Sequence, residues 1–177
     1  MMPIARWAVC AAVFCPPPAW SALPLAVEEE LNELAAFCRQ LGGRPHGFEG
    51  AVEQADLNGD GITDYVLDDG ELQCYGTRGV FGGFHGCGVT VFVGRAGGGA
   101  EKSFLHGAFG SRVDRRGRQA VLYLGMAGEA CGQDIAGKKR GEYERCSRPL
   151  KWNPAGQKFE IDMTVKKPAL NWLGGRL

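Results

Sequence analysis

The sequence has no excess of either charge, with 20 Lys and Arg against 20 Asp and Glu among 177 residues. A neutral chain that also lacks a nucleic-acid reading motif is not expected to bind nucleic acid. Histidine is scarce. His46 and His106 stand alone, as solvated or structurally hydrogen-bonded residues, and His85, two positions from Cys87, has no third group to orient a Cys-His nucleophile. Ser103 and Ser111 lack the strand-turn-helix context of a nucleophile elbow. Beyond residue 14 no run is long and apolar enough to cross a bilayer. No fixed-period repeat occurs, which argues against a solenoid or propeller. Apolar residues at 45 % and charged residues at 23 % sit near globular averages, so disorder and a coiled coil are also excluded. Glycine is abundant instead: 28 Gly with 9 Pro favour short elements joined by many turns.

The N-terminus reads as a secretory leader over residues 1–21. Arg6 supplies the charge, Trp7–Phe14 the apolar run, and Ala19 and Ser21 a small-x-small cleavage site. A lipoprotein reading through Cys15 is weaker, because bulky Phe14 precedes it. Cleavage after Ser21 leaves a single globular domain, 22–177, in a periplasmic or secreted location with no transmembrane segment. Five cysteines then remain, and in an oxidising compartment they are disulfide candidates before they are catalytic thiols. Neighbour pairing gives Cys131–Cys146 and Cys74–Cys87, each closing a loop of about 15 residues worth roughly 3 kcal/mol. Cys38 is then a free, buried thiol; pairing of Cys38 with Cys74 or Cys87 stays open.

Val27, Leu31, Leu34, Ala35, Cys38 and Leu41 follow helical spacing, with Glu28–Glu30 in the first turn and Gly42-Gly43 as the stop. Strands are expected at Tyr65–Leu67, Val89–Val93, Phe104–Phe109, Ala120–Leu124 and Lys158–Val165, the last alternating apolar Phe159, Ile161, Met163 and Val165 with polar residues. Gly97–Gly99 reads as a loop tip. The expected fold is α+β: an N-terminal helix packed on a mainly antiparallel β-sheet, with Gly-rich loops and disulfides. Trp152 and Trp172 read as core or domain-edge anchors.

Charge is divided along the chain. Residues 22–77 hold 2 basic and 12 acidic side chains, and residues 78–177 hold 17 and 8. Either the halves neutralise each other within the fold, or Arg112, Arg115, Arg116, Arg118 and Lys138-Lys139-Arg140 form a basic surface for an anionic envelope or extracellular macromolecule.

One segment carries specific chemistry. In Asp56-Leu57-Asn58-Gly59-Asp60-Gly61-Ile62-Thr63-Asp64, oxygen side chains stand at positions 1, 3, 5 and 9 with Gly at 6. Asp56, Asn58, Asp60, the Ile62 carbonyl and Asp64 are the expected ligands of a structural Ca²⁺, which accepts many flexible oxygen donors. Position 12 is Leu67 instead of the bidentate Glu of an EF-hand, and Tyr65-Val66-Leu67 reads as a strand. A non-sensor site with affinity on the order of 10⁻⁴ to 10⁻³ M is expected. The competing reading is an Asx-rich turn that binds nothing.

This segment, with Asp64-Tyr65 after it, resembles the calcium loop of integrin-like FG-GAP (VCBS-type) repeats. The likeness covers about ten residues and implies the loop, not the propeller. More broadly, the chain resembles a family of small exported proteobacterial proteins that carry a helix with a Cys, the Asp-Leu-Asn-Gly-Asp-Gly loop, Gly86-Cys87-Gly88-Val89 and Cys146-Ser147-Arg148-Pro149-Leu150-Lys151-Trp152. That likeness brings no activity with it. The family pattern has a further cysteine near Gly82, whose absence here leaves the odd count. The expected function is an exported, non-enzymatic calcium-binding module that binds an envelope or extracellular partner. The alternatives are an inhibitor of an envelope hydrolase such as a lysozyme, and a small envelope hydrolase with acids from Asp68, Asp69 and Glu71.

Overall fold

The computed structural model describes residues 23–83 and 86–165. The expected leader, His85 and Trp172 lie outside the described residues. Helix α1 (Leu25–Gln40) begins where the Pro24 carbonyl accepts the Val27 and Glu28 amides, and Glu28 and Arg39 sit at the ends that suit their charges. It buries Val27, Ala35 and Cys38.

The strands are β1 (Arg44–His46), β2 (Val52–Ala55), β3 (Asp64–Asp68), β4 (Gln73–Tyr75), β5 (Gly82–Gly83), β6 (Gly86–Gly94), β7 (Ala100–Ala108), β8 (Ser111–Asp114), β9 (Val121–Ala127), β10 (Arg145–Asn153) and β11 (Lys158–Ile161). Every pairing is antiparallel. The first sheet runs β2-β3-β6-β7, with β5 hairpinned onto the start of β6. The second runs β8-β9-β10-β11, and β1 pairs with β4 in a short separate ladder. Between β7 and β8 the chain steps from one sheet to the other through Phe109 and Gly110, held by reciprocal bonds to Gly125 of 2.8 Å each.

Burial on both faces explains why β3 and the apolar half of β6 read as near-continuous apolar runs. One face of the first sheet, through Tyr65, Leu67 and Phe92, packs with Val27 of α1. The other, through Val66, Val89, Val91 and Val93, meets Leu122, Leu124, Leu150 and Phe159 of the second sheet. The result is three layers, helix on sheet on sheet, an α+β arrangement of the expected kind. Trp152 lies 5.0 Å from the Phe159 ring at the edge of this core. No helix among the described residues is long and apolar enough to cross a membrane.

Two expectations need correction. Among the described residues the disulfides are Cys131–Cys146, as expected, and Cys38–Cys74, not Cys74–Cys87, and Cys87 is the free thiol. The reason is packing. The end of α1 lies against the β1–β4 ladder, which brings the Cα atoms of Cys38 and Cys74 to 5.7 Å. Gly43 lets the bond pass, since a Cβ there would stand 2.2 Å from the Cys74 sulfur. The last strand is also shorter than its alternation implies. The Asp162 amide donates to the Pro149 carbonyl at 2.8 Å, but proline has no N–H to return, and β11 ends at Ile161. Asp162 then caps a turn by accepting from the Thr164 amide, and Met163 is 53 % exposed.

Candidate functional site

The Asp56–Asp64 segment joins β2 to β3 at one end of the first sheet. Its alternate side chains turn back onto its own backbone. Asp56 accepts the Gly59 amide on Oδ1 at 2.7 Å and the Gly61 amide on Oδ2 at 2.9 Å. Asn58 Oδ1 accepts the Asp60 amide at 3.0 Å, and Asp60 Oδ1 accepts the Ile62 amide at 2.8 Å. Asn58 Nδ2 donates to Asp60 Oδ2 at 3.0 Å. These bonds draw the loop tight, and Gly59 and Gly61, both at φ +81°, supply the left-handed turns it needs.

Asp64 does something different from its neighbours. It is fully buried, and its two oxygens accept the Leu57 amide at 2.9 Å and the Gly94 amide at 3.0 Å. Burial raises its pKa, the amide bonds oppose that, and the Asp60 charge adds to it. Asp64 therefore pins the base of the loop to the end of β6. From the other side, Gln119 Nε2 donates to the Leu57 carbonyl at 2.6 Å.

Among the described residues, no three His, Cys, Asp or Glu side chains are gathered as a ready-made metal cluster. Two of the five expected ligands, Asn58 and the Ile62 carbonyl, are not of those types. A carboxylate or amide oxygen has a second lone pair after accepting one hydrogen bond. The oxygens of Asp56, Asn58 and Asp60, on an exposed loop, thus keep donor capacity of the hard type that suits Ca²⁺. Those three residues and the Ile62 carbonyl would hold the ion, which would neutralise the loop's carboxylates. Asp64 would support the loop from below.

The acids of the hydrolase alternative lie at the end of β3 and in the turn after it. Asp68 is buried, accepting the Ser111 hydroxyl at 2.6 Å and the Gly70 amide at 2.9 Å. Asp69 keeps a buried Oδ1 without a hydrogen-bond partner among the described residues. Burial, then the charges of Asp68 and Glu30, push its pKa up to about 7, with Lys102 pulling the other way. Glu71 stands on the same short 3-10 turn, Asp69–Glu71. Cys87 lies beneath that turn, its Sγ 3.5 Å from where a Gly70 Cβ would be. Burial and the two aspartates raise the thiol's pKa, the opposite of what a nucleophile needs.

The isolated histidines have structural partners: His46 stacks on Tyr75, and His106 Nδ1 lies 2.7 Å from the Gly107 carbonyl. Ser103 Oγ accepts the Phe159 amide at 3.2 Å. The charge asymmetry is partly resolved inside the fold. Arg115 pairs with Glu53 at 2.5 Å and Lys102 pairs with Glu30, both across the two halves, whereas Arg112 and Arg116 share Asp114 within the basic half. Arg118 and Arg115 line a cavity beside Asp56 and Gly59.

Sequence reasoning missed a groove of about 860 Å³ lined by parts of β7, β9 and the 128–145 segment, including Phe109, Met126, Ile135, Arg140, Tyr143 and Arg145. Those residues are dispersed along the chain, and of them the sequence pattern marks only Arg140, as part of a basic run, for a surface role. Comparison with family models, with curated proteins and with solved structures finds no match for this chain.

Proposed function

We propose that this protein is an exported, non-enzymatic module that takes up Ca²⁺ in the 56–62 loop and binds a macromolecular partner of the envelope or extracellular space. The observation that carries the calcium reading is the alternation of Asp56, Asn58 and Asp60, each with oxygen bonded to a loop amide, over a buried Asp64 that ties the loop at Leu57 to Gly94 of β6. The likeness of the loop to FG-GAP repeats supports the same ion. Two disulfides among the described residues support an oxidising compartment.

Thermal melting in chelator and in about 10 mM Ca²⁺ tests the reading. With dissociation constants on the order of 10⁻⁴ to 10⁻³ M, the ion adds about 1.5–3 kcal/mol, a rise of several degrees. Asp60→Ala removes that rise, and an unchanged midpoint for the unaltered protein refutes it. The hydrolase alternative has one observation in its favour, the contrast between a hydrogen-bonded Asp68 and an Asp69 raised to about 7. Against it, neither lines the groove of about 860 Å³.

A further inference from the structure

The groove of about 860 Å³ opens where β7 and β9 diverge. The bonds between Gly125 and the Phe109–Gly110 step hold the two strands together up to that point. Past it, His106–Ala108 pair only with β6, and Met126–Ala127 pair only with β10. Each strand thus has an edge without a strand partner among the described residues, and His106, Gly107, Met126 and Ala127 all line the groove. Such edges accept the alternating N–H and C=O groups of an extended polypeptide. Gly107 and Gly125 line the same space, and glycine in a strand permits close approach of a second backbone.

The side chains narrow the class of occupant. Phe109, Met126, Ile135 and Tyr143 give apolar lining, on a wall stapled by Cys131–Cys146. The charged lining is Arg140, Arg145 and Glu129, a net positive set. The Arg145 guanidinium stands 5.2 Å over the Phe109 ring, and no carboxylate among the described residues pairs with it. Glu142, nearby in the chain, accepts the Lys139 amide at 2.7 Å and forms no ion pair with Arg145.

We propose that this groove binds an extended, acidic polypeptide segment of the partner, added as a strand along the open edge. Its carboxylates meet Arg145, and its intervening apolar side chains meet Phe109, Met126 and Ile135. This rests on the partner-binding reading above and names its surface and ligand class. A polysaccharide could answer the arginines but has no backbone amides for the strand edges.

The probe is a blocked peptide of about eight residues alternating Glu with Val or Leu, titrated into the intact protein by fluorescence anisotropy and amide chemical-shift mapping. The expected result is saturable binding with shifts at His106–Ala108 and Met126–Ala127. Arg145→Glu weakens it about tenfold or more, and so does N-methylation of alternate peptide amides. The methylated peptide leaves the protein untouched, so a loss there cannot come from misfolding. The proposal is overturned by no binding at millimolar peptide, by equal binding of the methylated peptide or of dextran sulfate, or by shifts confined elsewhere. The calcium-dependent melt, run on the same samples, reads the 56–62 loop alone. A calcium rise without peptide binding removes the groove and keeps the loop, and peptide binding without a calcium rise does the reverse.

Discussion

Asp69 carries an unusual load for one side chain. Its Oδ1 is buried without a partner among the described residues, Asp68 precedes it, Glu30 reaches it from α1, and Lys102 of β7 pulls the other way. A carboxyl raised from 3.8 to about 7 contributes stability that is complete below pH 4 and is lost as the pH rises through 7. Asp69→Asn removes the titration and keeps a similar shape. The variant should equal the parent near pH 4 and exceed it by about 1–2 kcal/mol at pH 8, a figure reduced from the full linkage value because the side chain is partly solvated. Chemical denaturation of both proteins across pH 4–8 checks this, and a constant difference would show that burial does not control the group.

At the scale of elements, the loop between β2 and β3 depends on Asp64 more than on any of its exposed oxygens. Asp64→Ala leaves the Leu57 and Gly94 amides without their acceptor in a buried site, and a loss of about 2–4 kcal/mol is expected. The same melt in Ca²⁺ separates support from ligation: Asp60→Ala should lose the calcium response with little change in the chelated midpoint, whereas Asp64→Ala should lower that midpoint outright. The helix and five of the strands could be read locally, because their apolar spacing declares them. β10 could not, since Pro149 and three basic residues in nine argue against a central strand. It is tolerated because the missing proline N–H falls where β11 ends.

For the whole molecule, the described residues carry two covalent cross-links. Cys38–Cys74 ties α1 to the β1–β4 ladder across 36 residues, and Cys131–Cys146 closes the groove wall across 15. Loop closure assigns them about 4 and 3 kcal/mol. The Cys38→Ala/Cys74→Ala protein should therefore melt lower than the Cys131→Ala/Cys146→Ala protein. The second pair should matter more for peptide binding in the groove. Differential scanning calorimetry orders the first effect, and the reverse order would mean that the denatured chain already holds α1 near β4.

The sequence alone determined the helix, the main strands, the turn-rich connections and the oxygen spacing of the 56–64 loop, because each depends on residues only a few positions apart. It also identified Cys131–Cys146, whose loop is short. Only the tertiary structure decided that Cys38 takes Cys74, that Asp64 anchors the loop, that Asp69 is starved of partners, and that two strand edges open onto a groove. Each of those depends on groups far apart in the chain, brought together by burial of two apolar faces that no local pattern encodes.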